Sequence, residues 1–85
     1  MKNPPKYIDE AKVIKWAWSG EKPFGFVGEE AIYGLAICHY SYDNSVYRFS
    51  CNKDWETVQD AQYDTMEQAI NQLPKQYKQV SAEWH

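Results

Sequence analysis

Between Ile32 and Cys51 two runs rich in β-branched and aromatic residues, IYGLAICHYSY and VYRFSC, flank Asp43, Asn44 and Ser45. Strands favour the first kind of residue and turns the second, so the pattern predicts an antiparallel hairpin. In the first run Tyr33, Leu35, Ile37 and His39 fall on one side, and Ile32, Ala36, Cys38, Tyr40 and Tyr42 on the other. Both sides are largely apolar, which suits a central strand with a helix over one face and aromatic rings partly covering the other. Gly34 has no side chain to pack and marks a bulge or a close approach. Two registers fit this hairpin. With Asn44 and Ser45 between paired Asp43 and Val46, Cys38 lies opposite Cys51. A shift of one residue sets Cys38 opposite Ser50 and lines up Leu35 and Ile37 with Phe49 and Cys51 as one apolar face. The pattern leaves the choice open.

Downstream, WETVQDAQY (residues 55–63) predicts another short strand. Asp64 and Glu67 have the spacing of a capping box, and Met66, Ala69, Ile70 and Leu73 recur on one helical face, which predicts a helix over about 65–73. Pro74 stops it near Leu73 or lets it fray into one irregular turn through Tyr77. Val80, Ala82 and Trp84 then alternate with polar neighbours, which predicts a final edge strand over about 79–84. Residues 7–18 carry both periods: Tyr7, Ile8, Ala11 and Trp18 fit a helix, and Ile14, Trp16 and Trp18 fit a strand. The Val, Ile and Trp content favours a strand over about 13–18, followed by a turn at Ser19–Gly25 and a short strand at Phe24–Val27. Pro4 and Pro5 make residues 1–6 a disordered lead-in. The fold class is therefore α+β, an antiparallel sheet of about four to five strands with one C-terminal helix packed on it, in a single domain spanning 1–85.

The composition supports such a domain despite its size. Of 85 residues 44% are hydrophobic and 16% aromatic, enough rings to build a core. The formal net charge is −3, which supplies no counter-charge for nucleic acid or an anionic membrane and permits a basic partner. Residues 1–10 lack the apolar core of a signal peptide, and no apolar run approaches the ~20 residues of a membrane span. Two cysteines are no disulfide framework, so the expected state is two reduced, buried thiols in a soluble cytoplasmic protein.

Candidate chemistry is sparse. Cys38, His39 and Cys51 are all zinc-ligand types, but neighbours on a strand point to opposite faces and no CxxC pair is present, so no metal is expected. Under the shifted register His39 shares a face with Cys51, the one thiolate pair on offer. The adjacent pairs Asp9–Glu10 and Glu29–Glu30 cannot hold two carboxyls over one substrate and read as solvated loops. SGEKPFG lacks the spacing of a phosphate-binding loop, and no cofactor is expected. Aromatic residues dominate what remains. Tyr40, Tyr42, Tyr47, Phe49 and Arg48 suit either stacking on bases or anchoring a protein partner, and the acidic balance favours the protein.

The expected function is thus a non-catalytic, acidic interaction protein, such as an inhibitor or immunity-type antagonist of a basic protein. Its contact residues would be Tyr40, Tyr42, Asp43, Tyr47, Arg48, Asp54, Trp55, Glu56 and Asp60. The alternatives are a single-stranded nucleic-acid binder using the sheet aromatics, and a small thiol enzyme built on Cys51 and His39. The chain is expected to be a monomer, or a homodimer joined through an edge strand such as Val80–Trp84.

Overall fold

The hairpin lies at the centre of the fold. The computed structural model describes residues 2–77 and 80–85. In chain order it contains β1 (Tyr7–Ile8), β2 (Ala11–Trp18), β3 (Gly25–Val27), β4 (Glu30–Ile32), β5 (Gly34–His39), β6 (Val46–Cys51), β7 (Thr57–Tyr63) and one short helix, α1 (Met66–Asn71). Five strands form an antiparallel sheet in the order β1-β2-β5-β6-β7, and β3 and β4 form a separate hairpin inserted between β2 and β5. The strand expected at Phe24–Val27 belongs to that second hairpin. The start of the long apolar run at Ile32 belongs to it as well, so β5 begins only at Gly34.

The register of β5 and β6 corrects both alternatives. Gly34 pairs with Cys51, Cys38 with Tyr47 and His39 with Val46. Residues 40–45 therefore stay outside the ladder instead of forming a two-residue turn. Asp43 organises this loop: its Oδ1 accepts the Ser45 N–H at 2.8 Å, while its own N–H donates to the Tyr40 carbonyl at 3.3 Å. A side-chain oxygen that imitates a backbone turn is the usual role of Asp in loops. Cys38 and Cys51 share a face with Ala36 and Phe49, whereas Leu35 and Ile37 lie opposite Ser50 and Arg48 on the other face.

The two faces are covered differently. On the first, Ile8, Ala11, Ala36, Cys38, Phe49, Cys51 and Trp55 are buried, with Trp16, Trp18, Tyr40 and Tyr47 packed against them. Among the described residues no helix covers this face. The sheet curls instead, so that Tyr7–Asp9 and Trp55–Thr57, at its two edges, line one cleft. At the β1–β2 turn Asp9 and Glu10 have φ of 50° and 70°. Consecutive left-handed residues give a two-residue hairpin turn whose twist matches that of the strands. The second face is covered by the β3–β4 hairpin, α1 and the C-terminal residues, which bury Phe24, Ile32, Leu35, Ile37 and Ala69. Gly25 permits part of this closure, because a Cβ there would strike the Gln76 carbonyl.

Two further expectations are corrected. The helix is shorter than 65–73, and its cap lies one residue later than expected. The Thr65 hydroxyl accepts the Gln68 N–H at 3.2 Å, and Gln68 Oε1 accepts the Asp64 N–H at 3.0 Å, so Thr65 and Gln68 do what was expected of Asp64 and Glu67. The final strand over about 79–84 is absent among the described residues. Gln79 lies outside them, and Val80–Trp84 enter no ladder. Their alternation is real but serves packing: Val80, Ala82 and Trp84 lie against the helix-side core. Only His85 meets the sheet, exchanging backbone hydrogen bonds of 2.8 and 3.3 Å with Trp16. No helix among the described residues is long and apolar enough to cross a membrane.

Candidate protein-binding interface

The loop that leaves β5 carries the most exposed large ring of the described chain, Tyr42, at 82%. Beside it Tyr40 packs at a centroid distance of 5.3 Å, and Tyr47 meets Tyr40 edge-on at 5.2 Å and 83°. Hydrogen bonds fix these rings. The Tyr47 hydroxyl donates to Asp43 Oδ2 at 2.7 Å, and the Tyr40 hydroxyl donates to the Asp9 carbonyl at 3.0 Å, which ties the loop to the β1–β2 turn. Asp60 on β7 lies opposite Phe49 and so shares the face of Tyr47.

The electrostatics follow from these contacts. Asp43 is held below the usual carboxylate range, chiefly by the Ser45 N–H and then by the Tyr47 hydroxyl. The same bond pushes Tyr47 up to about 12, because the phenol must give up a proton that a carboxylate is accepting. Tyr40 is raised first by burial of its hydroxyl and then by Tyr42, Asp9 and Asp60. Near neutral pH the patch therefore presents neutral phenols among ionised carboxylates. It can receive ammonium and guanidinium groups by ion pairing and on ring faces. The Tyr40 and Tyr47 rings touch, so they leave no cage between them, and contact has to be made over their outer surface. Tyr47→Phe is expected to raise the Asp43 pKa toward its unfolded value, as followed by carboxyl NMR titration. A lowered folded pKa stabilises the loop above the unfolded value, and that contribution is lost as pH falls. The wild-type loop should accordingly hold to lower pH than the Phe variant.

No family model, curated protein or solved structure matches this chain. Geometry alone therefore sorts the expected contact residues. Tyr40, Tyr42, Asp43, Tyr47 and Asp60 come together. Arg48 does not join them: it is 2% exposed and lies on the helix-side face. Trp55 is 5% exposed and folded over Gly34. Asp54 and Glu56 are exposed at the far end of β6, whose six residues span roughly 20 Å. There they are engaged locally, Asp54 with Lys2 at 3.5 Å and Glu56 Oε1 with the Asn52 amide at 2.9 Å. Asp9 joins the patch although its sequence reads as a solvated pair with Glu10. No spacing rule points to it, because the contact is made by its carbonyl across the curl of the sheet.

The thiols are buried in the core of the first face, Cys38 opposite Tyr47 and Cys51 opposite Gly34 at the far end of β6. Burial pushes both Cys38 and Cys51 up to about 12. His39 lies on the other face, opposite Val46, so the geometry on which a Cys51–His39 pair rested is not present. Among the described residues no group of three or more His, Cys, Asp or Glu side chains is placed to hold a metal ion. Both thiols are expected to react with a disulfide reagent only as fast as the domain opens. Because folding raises their pKa, the stability linked to them is complete below the unfolded thiol value of 9.0 and is lost as pH rises from there toward about 12. Denaturant titrations across that range, on wild type and a Cys38→Ser/Cys51→Ser variant, check the sign: the wild type should lose stability with pH more steeply.

Proposed function

We propose that this protein is a non-catalytic binding module that captures a basic protein through the Tyr40–Tyr42–Asp43–Tyr47 patch, in the manner of an inhibitor or immunity-type antagonist of a cationic enzyme. The observation that carries this reading is Tyr42, 82% exposed, on a loop held in place by Asp43 and flanked by carboxylates. Tyrosine offers large contact area at little entropic cost, and tyrosines dominate interface hot spots. A loop already ordered by its own hydrogen bonds loses little further freedom on binding. Asp9, Asp43 and Asp60 steer a cationic surface and repel phosphate, which favours a basic protein over single-stranded nucleic acid. Two buried thiols suit a reducing compartment such as the cytoplasm.

The test is capture from the protein's own cell extract, with and without nuclease treatment and at two salt concentrations, with wild type and a Tyr42→Ala/Asp43→Asn/Asp60→Asn variant side by side. The expected result is one basic protein retained near one to one by wild type, lost at high salt and lost by the variant. Recovery of nucleic acid in the untreated arm alone, or equal recovery of the same protein by the variant, overturns the reading.

A further inference from the structure

The two edges of the five-stranded sheet differ in length, two residues in β1 and seven in β7. Among the described residues the backbone of Thr57–Tyr63 forms hydrogen bonds only with β6, so its outer row of N–H and C=O groups is unpaired. Natural edge strands are usually protected by lysine, proline or shortness. β7 has none of these: TVQDAQY carries one charge, Asp60, and no proline, and its one bulge, at Val58 between the Ser50–Gln59 and Cys51–Thr57 pairs, leaves Gln59–Tyr63 in regular register. The curl of the sheet brings the start of this edge, at Thr57, toward β1 across a cleft of about 440 Å³, walled by Tyr7, Ile8 and Asp9 on one side and by Trp55, Glu56 and Thr57 on the other. Among the described residues its lining includes two carboxylates, Asp9 and Glu56, and no cationic side chain. The cleft leads toward the tyrosine patch, since Asp9 also receives the Tyr40 hydroxyl.

We infer that the free edge of β7 takes up an extended, lysine- or arginine-bearing segment of the partner protein as an added antiparallel or parallel strand, one end of which enters the cleft at Thr57. The inference rests on the reading of the patch as a binder of basic proteins and specifies how the partner is held. Backbone hydrogen bonds to β7 supply affinity that does not depend on sequence, and side chains at alternate positions supply the selection. Those that point into the curl lie against Asp9, Glu56 and Asp60, so every second residue of the segment is basic. A second copy of this chain is a poorer occupant, because it would bring the same carboxylates against each other.

Hydrogen exchange of the isotope-labelled full chain tests this with a capped peptide of about ten alternating lysines and valines as the probe. Amides within Thr57–Tyr63 are expected to exchange at least tenfold more slowly and to shift on titration. The same peptide N-methylated at every residue, and a glutamate–valine counterpart, are expected to leave them unchanged. If the N-methylated peptide binds as well as its parent and Asp43→Asn/Asp60→Asn weakens both, side chains alone do the reading. Strand addition then fails while the patch stands. If no peptide protects β7 although wild type captures a basic protein, strand addition again fails alone. Protection of β7 that rises with concentration in the free protein means that a second copy holds the edge, which also overturns the inference.

Discussion

Replacing Gly34 by alanine is expected to destabilise the protein by about 1–3 kcal/mol, an overpacking cost that disappears when Trp55 is shortened. A Cβ at Gly34 would lie 2.5 Å from Trp55 Cζ3 and 2.8 Å from two other ring atoms, closer than any real contact allows. The ring cannot easily yield. It packs edge-on against Trp16 at 6.2 Å and tilted against Trp18 at 5.6 Å, and its Nε1–H donates to the Lys2 carbonyl at 3.2 Å. Removing it by Trp55→Ala is expected to cost about 3–5 kcal/mol. For a domain of 85 residues, whose whole stability is of the order of 4–13 kcal/mol, that is a large fraction. A double-mutant cycle in urea separates the two effects. Gly34→Ala should be close to neutral in the Trp55→Ala background, and an equal cost in both backgrounds would rule out the ring-on-glycine contact as its cause.

The backbone adds a second, opposite term at the same position. Trp55 has φ of 60°, on a turn where its N–H donates to the Asn52 carbonyl at 3.1 Å and where Asn52 Oδ1 accepts the N–H groups of Asp54 and Glu56 at 2.9 and 3.0 Å. That conformation favours glycine by roughly 1–2 kcal/mol over a residue with a Cβ. The tryptophan is held there because its ring completes the core over Gly34. Trp55→Gly is therefore expected to be about 1 kcal/mol more stable than Trp55→Ala, the reverse of the order found in a strand interior.

The elements were largely legible in the chain and their mutual placement was not. Val, Ile and aromatic content marked β2, β5, β6 and β7, and the spacing of Met66, Ala69 and Ile70 marked the helix, because these signals are local. The hairpin register escaped because both faces of β5 are apolar: Leu35 and Ile37 make as good a core face as Ala36 and Cys38, so alternation could not choose between them. A loop of residues 40–45 ordered by one aspartate also leaves no signature of its length. Val80, Ala82 and Trp84 show that period-two alternation marks a segment lying extended on a core, whether or not a partner strand is present. For the candidate patch, the tyrosines and Asp43 were readable as a cluster because they are close in sequence. Asp54 and Glu56 were read with them only because separation along β6 is invisible until the strand is laid out in space.

Arg48 was the least legible residue, and its substitution is the sharpest test of how this small core tolerates charge. An arginine between Tyr47 and Phe49 reads as a contact residue, yet its side chain is 2% exposed on the helix-side face. Among the described residues no carboxylate pairs with it. Its Nη1–H donates to the Tyr63 hydroxyl at 2.8 Å, and its guanidinium carbon lies 5.9 and 6.0 Å from the Tyr63 and Tyr77 ring centres. Its buried Nε has no hydrogen-bond partner among the described residues. Taking a cation out of water costs several kcal/mol, whereas a charged hydrogen bond returns about 1.5–3 kcal/mol and each ring face about 0.5–2 kcal/mol. The polar terms nearly cancel, which leaves the packing of the long apolar stem as the main contribution. Arg48→Met keeps that stem and should be at least as stable as wild type in urea. The Tyr63 hydroxyl keeps its own bond to the Gln72 carbonyl at 3.1 Å in that variant. Arg48→Ala loses the stem and should cost about 3 kcal/mol. Should Met prove as damaging as Ala, the guanidinium's polar contacts outweigh its desolvation. Because Arg48 lies on the face away from the tyrosine patch, Arg48→Met should leave the proposed capture of a basic protein unchanged, which separates the residue that holds the fold from those proposed to meet a partner.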